Sequence, residues 1–142
     1  MKKQPKNKGA VMHPFNSGRW TQARFDSFVR SALRGASMRW PPKYEVKKAA
    51  RVERGKYKCI GYKRRSHIVP ASLPPKEGNK RRINNVQIDH IIPIVPINGR
   101  STWDEVIANL FCEIENLQVL CHECHKKKTG EEREMRKKAK EK

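Results

Sequence analysis

The sequence predicts an α+β fold in which a flexible basic arm and a helical N-terminal region lead into a small core of two short strands followed by a helix. Three observations predict it. Apolar residues recur at helical spacing between Phe25 and Leu33. Two short segments, Val86 to Ile92 and Leu117 to Leu120, have strand character and are separated by a capped apolar helix. A close cysteine pair, Cys121 and Cys124, then opens the last helix, where a bound metal would staple a core too small to stand alone.

Taken in order, residues 1–18 hold Lys, Asn, Gly and Pro with few apolar groups and predict the flexible arm. Thr21 is placed as an N-cap for a helix carrying Phe25, Phe28, Val29, Ala32 and Leu33 on one stripe, with Arg24, Arg30 and Arg34 largely off it. Trp40-Pro41-Pro42 stops that helix, and Pro42 suits the first turn of another that runs to about Val52. The helical region is thus 19–54, the core 55–132 and a charged tail 133–142. Lys56 to Tyr62 is β-compatible, and a long loop is expected from Lys63 to Asn85. Val86 to Ile92 forms a strand that Pro93 and Pro96 end, with Asp89 and His90 near its exit. Ser101 or Thr102 caps a short helix through Val106, Ile107, Leu110 and Phe111. Leu117 to Leu120 is the second strand, and Cys121-His122-Glu123-Cys124-His125 opens a helix continuing toward Lys128.

Composition narrows the function. The 142 residues carry 33 Lys plus Arg against 14 Asp plus Glu, a formal net charge of +19. Such a surplus repels itself unless a polyanion is the usual partner, which points to nucleic acid. No apolar run approaches the ~18 residues of a membrane-spanning helix, so no membrane partner is expected. The N-terminus MKKQPKNKGA lacks the apolar stretch of a secretory signal, which reads as an intracellular, cytoplasmic chain. The four cysteines Cys59, Cys112, Cys121 and Cys124 are therefore expected to serve metal or core rather than disulfides.

The chemistry lies in VQIDHIIPIV and ENLQVLCHECHKKKT. A strand ending in Asp89-His90, an Asn116 before a second strand and His125 at a helix start can converge on one metal. These stretches resemble the HNH endonucleases, especially the small phage-encoded members, over residues 56–132. The resemblance implies a ββα-metal core. It also implies that Asp89 and His125 bind a catalytic divalent cation (Mg²⁺ or Mn²⁺, with Ni²⁺ or Zn²⁺ as alternatives). His90 would then be the general base and Asn116 the residue orienting it. Taken singly, Asp-His at a strand end is an ordinary polar turn, and Asn before a strand an Asx-turn.

Cys121 and Cys124 form a knuckle able to give two thiolates to a structural Zn²⁺, and Cys59 is the natural third ligand. Many zinc-bearing HNH proteins carry a second Cys-x-x-Cys where this chain has Cys59-Ile60-Gly61-Tyr62, and tyrosine is a poor zinc ligand. His67 is the nearest soft donor if residues 63–66 fold back; otherwise it is a phosphate contact. Cys112 reads as a buried free thiol, and His122 as facing solvent or DNA.

Lys80, Arg81, Arg82, Lys126, Lys127 and Lys128 flank the two halves of the site and are the expected phosphate contacts on double-stranded DNA. Arg24, Arg30 or Lys43 would reach a groove, and Trp20 and Trp40 are read as packing anchors in preference to base-stacking platforms. The function implied is phosphodiester hydrolysis leaving a 5′-phosphate and a 3′-hydroxyl, alone or with a larger phage or mobile-element partner. The other reading is a zinc-stabilised HNH scaffold that binds nucleic acid without cutting it.

Overall fold

Stacked aromatic rings order a segment that composition alone predicts to be loose. The computed structural model describes residues 13–141, so most of the expected arm, 1–12, lies outside the described residues. Asn16, Ser17 and Gly18 turn the chain through positive φ, pairing Phe15 with Trp20. Phe15 stacks on Phe25 at 3.9 Å, and Trp20 meets Phe28 edge-on at 5.2 Å beneath the guanidinium of Arg24. Burial of ring surface offsets the entropy of fixing this turn, which the arm prediction overlooked for Phe15 to Gly18. The rings lie against α1 (Gln22–Ser37), whose first turn is capped by the Thr21 hydroxyl accepting from the Arg24 amide. The contact pattern divides the chain into Met1–Gly35 and Ala36–Lys142, within α1 and not at residue 54.

In the larger unit, α2 (Pro41–Ala50) starts with proline in its first turn and stops two residues before the expected Val52. Arg51–Glu53 instead forms β1, turning at Gly55 (φ +76°) into β2 (Lys56–Cys59). The expected loop from Lys63 to Asn85 contains β3 (His67–Pro70), antiparallel to β2, and a short ladder of β4 (Ser72–Leu73) with β5 (Ile83–Asn84). These strands are two to four residues long and interrupted by Pro and basic side chains, so pairing rather than local pattern creates them.

β6 (Val86–His90) and β7 (Leu117–Cys121) pair antiparallel, with Asp89 opposite Gln118 and His90 opposite Leu117. Between them lies α3 (Trp103–Leu110). The Thr102 hydroxyl accepts from the Glu105 amide while the Glu105 carboxylate accepts from the Thr102 amide, a full capping box. β7 runs into α4 (His122–Lys140), which continues through Gly130 into the expected tail. Arg136 in that stretch donates to the Val95 carbonyl at 2.7 Å, so the end of α4 holds the loop after β6. α2 packs on β6 and β7, which makes it part of the same core and not of a separate N-terminal region. Among the described residues, no helix is long and apolar enough to cross a membrane.

The tightest core cluster is Cys59, Val69, Leu120, Cys121 and Cys124, with Tyr57 and Tyr62 packed against it. Leu120 is its only large aliphatic side chain and is fully buried. Leu120→Ala should cost about 3 kcal/mol, whereas Ile68→Ala, at an exposed position, should cost under about 1 kcal/mol. Urea unfolding of the two variants beside the parent chain checks this.

Candidate active site and metal centre

Successive residues of a strand point to opposite faces, and the last two of β6 use this to reach different surroundings. Asp89 faces α4. Its Oδ2 accepts from Gln118 Nε2 and from Lys128 Nζ, both at 2.8 Å, while Oδ1 lies 3.7 Å from His125 Nε2. That last distance is short enough for both atoms to reach one cation at about 2.1 Å each. His125 stands in the first turn of α4, and the β7 to α4 junction carries it to Asp89.

His90 turns to the α3 side, where Nε2 lies 3.2 Å from the Leu110 carbonyl. A carbonyl only accepts, so Nε2 carries the proton and Nδ1 keeps its lone pair. Burial lowers the His90 pKa against the opposing pulls of the Leu110 carbonyl and the Asp89 carboxylate, with the nearby charges of Lys43 and Lys128 acting in the same direction as burial. The imidazole is therefore neutral at pH 7, the form in which Nδ1 can take a proton.

Asn116 closes the loop behind His90. Its Oδ1 accepts from the Ile92 amide at 2.8 Å, its own carbonyl accepts from the Ile91 amide at 2.9 Å, and its Nδ2 reaches the Ile92 carbonyl at 3.5 Å. The two residues that follow His90 are thus tied to the start of β7, which fixes the exit of β6.

A second cluster gathers Cys59, His67, Cys121 and Cys124, with donor atoms all within 4.8 Å of one another. This Cys₃His set is compatible with a structural zinc site, whose bonds of about 2.3 Å to sulfur set edges near 3.8 Å. The register of β2 with β3 places His67 directly opposite Cys59, so a cross-strand pair supplies the donor that the sequence Cys59-Ile60-Gly61-Tyr62 lacks. His67 Nδ1 bonds the Arg65 carbonyl at 3.0 Å, which leaves Nε2, 3.6 Å from Cys121 Sγ, as the donor. Cys59 Sγ accepts from the amides of Gly61 and Cys121 at 3.3 and 3.2 Å, and Cys121 Sγ from the amide of Cys124 at 3.5 Å. Amides aimed at sulfur suit thiolates. Burial nevertheless pushes the Cys59 thiol up to about 11, which is the cost a bound cation would remove. At Cys121, burial also raises the pKa, but the amide of Cys124 and the side chains of His67, Cys124 and Cys59 outweigh it and bring the value below the ordinary one.

Gly61 makes the fold-back possible. Its φ is +87°, and a Cβ there would overlap the backbone of Arg65. Tyr62 is no ligand; its hydroxyl donates to Glu131 and ties the loop to α4. Cys112 stands apart, its carbonyl accepting from Trp40 Nε1 at 2.7 Å while Trp40 packs edge-on against Phe111. Trp40 is thus a packing anchor. The His122 amide donates to Asn85 Oδ1, a buried side chain that also holds the Pro70 carbonyl.

The basic residues divide. Lys80, Arg81, Lys126 and Lys127 are exposed, Lys127 beside Glu123 at 3.4 Å. Arg82 is committed to Ser72 across the β4 to β5 ladder. Lys128 is turned inward onto Asp89, Glu132 and the His90 carbonyl, contrary to the expectation of a phosphate contact. Burial opposes its charge, but the carboxylates of Asp89 and Glu132 outweigh that and raise its pKa. Sequence reasoning missed Gln118 and Glu132, and read Lys43 as a groove contact where the structure brings its charge to bear on His90. Gln118 was accessible through the register of β6 with β7, and Glu132 through its four-residue spacing from Lys128. Lys43 carried no local signal, since only tertiary packing brings α2 near His90.

Comparison with family models, with curated proteins and with solved structures returns no match for this chain.

Gly61→Ala should destabilise the protein by more than about 3 kcal/mol. Gly55→Ala, at φ +76° but facing open space, should cost only about 1–2 kcal/mol. Thermal unfolding distinguishes a steric requirement at Gly61 from a general glycine preference.

Proposed function

We propose that this chain is a metal-dependent DNA endonuclease of the HNH type, with β6, β7 and α4 as its ββα-metal core. The observation that carries the reading is the arrangement at the end of β6. Asp89 meets His125 on one face, while His90, on the other, keeps Nδ1 free. A bound Mg²⁺ or Mn²⁺ would stabilise charge on the scissile phosphate and on the departing 3′-oxygen. His90 Nδ1 takes the proton of the attacking water as the new oxygen–phosphorus bond forms and the bond to the 3′-oxygen breaks. Asn116 holds the loop that keeps the ring in place, and the Leu110 carbonyl holds its tautomer.

The charge of +19 supports double-stranded DNA as the substrate. Lys80, Arg81, Lys126 and Lys127 remain as exposed candidates for phosphate contacts. We assign the Cys₃His cluster to structural Zn²⁺, on the donor chemistry and the amide hydrogen bonds to sulfur. One observation favours the alternative of a binding scaffold that does not cut: Lys128 already neutralises Asp89.

Supercoiled plasmid nicking in Mg²⁺, Mn²⁺ or EDTA separates the two readings. Wild type should nick with the metals and not with EDTA, and His90→Ala should lose at least about a hundredfold in rate while binding DNA normally. Tight, salt-sensitive binding with no cutting by either protein would leave the scaffold reading. Elemental analysis should find one zinc per chain in wild type. Cys121→Ser should lose that zinc and its cooperative melting; a variant that keeps both would rule out the zinc assignment.

A further inference from the structure

The ammonium of Lys128 has three N–H donors and meets three acceptors: Asp89 Oδ2 at 2.8 Å, the His90 carbonyl at 2.8 Å and Glu132 Oε1 at 2.9 Å. No donor is left over for a phosphate. The side chains concerned are shielded, at 12% exposure for Asp89, 21% for Lys128 and 25% for Glu132, so solvent screens these charges less than it does surface pairs. Gln118 takes the same Asp89 oxygen. Oδ2 is therefore engaged twice and Oδ1 is left to face His125.

We propose that Lys128 is a positioning residue of the candidate cation site, closing Oδ2 of Asp89 so that the carboxylate offers a divalent ion only Oδ1, beside His125, and holds it weakly until a phosphate joins it. The inference rests on the endonuclease reading of Asp89 and His125. Its physical content is twofold. A fixed positive charge beside the carboxylate lowers the affinity for a free cation, and a DNA phosphate brought to the ion restores the balance. Closing one carboxylate oxygen also forbids bidentate ligation. Small octahedral ions such as Mg²⁺ accept one oxygen and keep their waters, whereas Ca²⁺ gains from bidentate carboxylates. Lys128 thus sets both the strength and the kind of ion that Asp89 takes.

The test uses the full chain with Mn²⁺ alone and Ca²⁺ alone as ligands, followed by calorimetry, with zinc content and melting temperature recorded for every variant. Lys128→Gln should bind Mn²⁺ about tenfold tighter than wild type and gain still more for Ca²⁺, because it removes the positive charge at Oδ2 and leaves that oxygen held by the neutral Gln118 amide. Lys127→Gln removes an equal charge from the same helix without touching Asp89 and should change the affinity less than about threefold. Lys128→Arg should stay weak. Loss of a merely structural lysine would loosen ion binding, not tighten it. If Lys128→Gln does not fold, Glu132→Gln serves instead: with that negative charge gone, the charge of Lys128 is offset less at Asp89, and Mn²⁺ should bind several-fold more weakly.

If wild type binds Mn²⁺ and nicks plasmid while Lys128→Gln, still loaded with zinc, binds the ion no tighter, the role of Lys128 is wrong and the nuclease reading stands. If wild type neither binds Mn²⁺ nor nicks, the cation site itself is wrong, and the role of Lys128 falls with it.

Discussion

Three buried thiols, with the exposed imidazole of His67 beside them, occupy the place where a chain of this size would ordinarily put leucines. Cys59 ends β2, His67 starts β3, Cys121 ends β7 and Cys124 lies in the first turn of α4, so the cluster joins the β2–β3 ladder to the β7–α4 junction. Three of the five residues in the tightest core cluster are these cysteines. Burying thiols returns less than burying aliphatic side chains, and the pKa of Cys59 shows that burial disfavours its charged form. A cation shared by the four donors, as the zinc assignment proposes, would turn that unfavourable burial into a cross-link of the kind by which small domains offset a thin core. The start of α4 sits where those donors place it, and Lys128 and Arg136 tie the helix to β6 and to the loop that follows.

What could be read in advance was what the chain declares locally. Alternation marked β6, the capping box marked α3, and the Cys121 and Cys124 spacing marked the start of α4. Each depends on side chains within a few residues of one another. The elements that escaped notice are made by partners far away in sequence. β1 is Arg51-Val52-Glu53, fully exposed, and exists because β2 pairs with it. β3 begins a few residues beyond a loop of Lys and Arg and is created by its register with β2. That register is also what brings His67 to Cys59, so the donor was visible as a histidine but its route to the site was not. The candidate site divides in the same way. Asp89, His90, Asn116 and His125 announce themselves by type and order, whereas Lys128 carries the same letter as Lys126 and Lys127. Only the helical turn decides that one of the three points inward and two point outward.

A strand end with opposed faces gives two neighbouring residues separate environments. Asp89 sits among Gln118, His125 and Lys128, a polar and charged surrounding in which Oδ2 accepts two hydrogen bonds. His90, one residue on, is half-buried against Leu110, where desolvation keeps the ring neutral. The alternation of the β backbone thus lets adjacent side chains serve opposite electrostatic purposes without a long loop between them.

The first turn of α4 carries Cys121 as its cap, Cys124 and then His125, with Lys128 one turn further on. Whatever fixes the thiols also fixes the helix start that delivers His125 and Lys128 to Asp89. On the zinc reading, a chain without its metal would hold this helix start through the Cys121 sulfur that caps it, without the cross-link. On the zinc and endonuclease readings proposed above, maturation and competence would be a single event, since loading the cysteines would secure the helix start that carries His125 and Lys128 to Asp89.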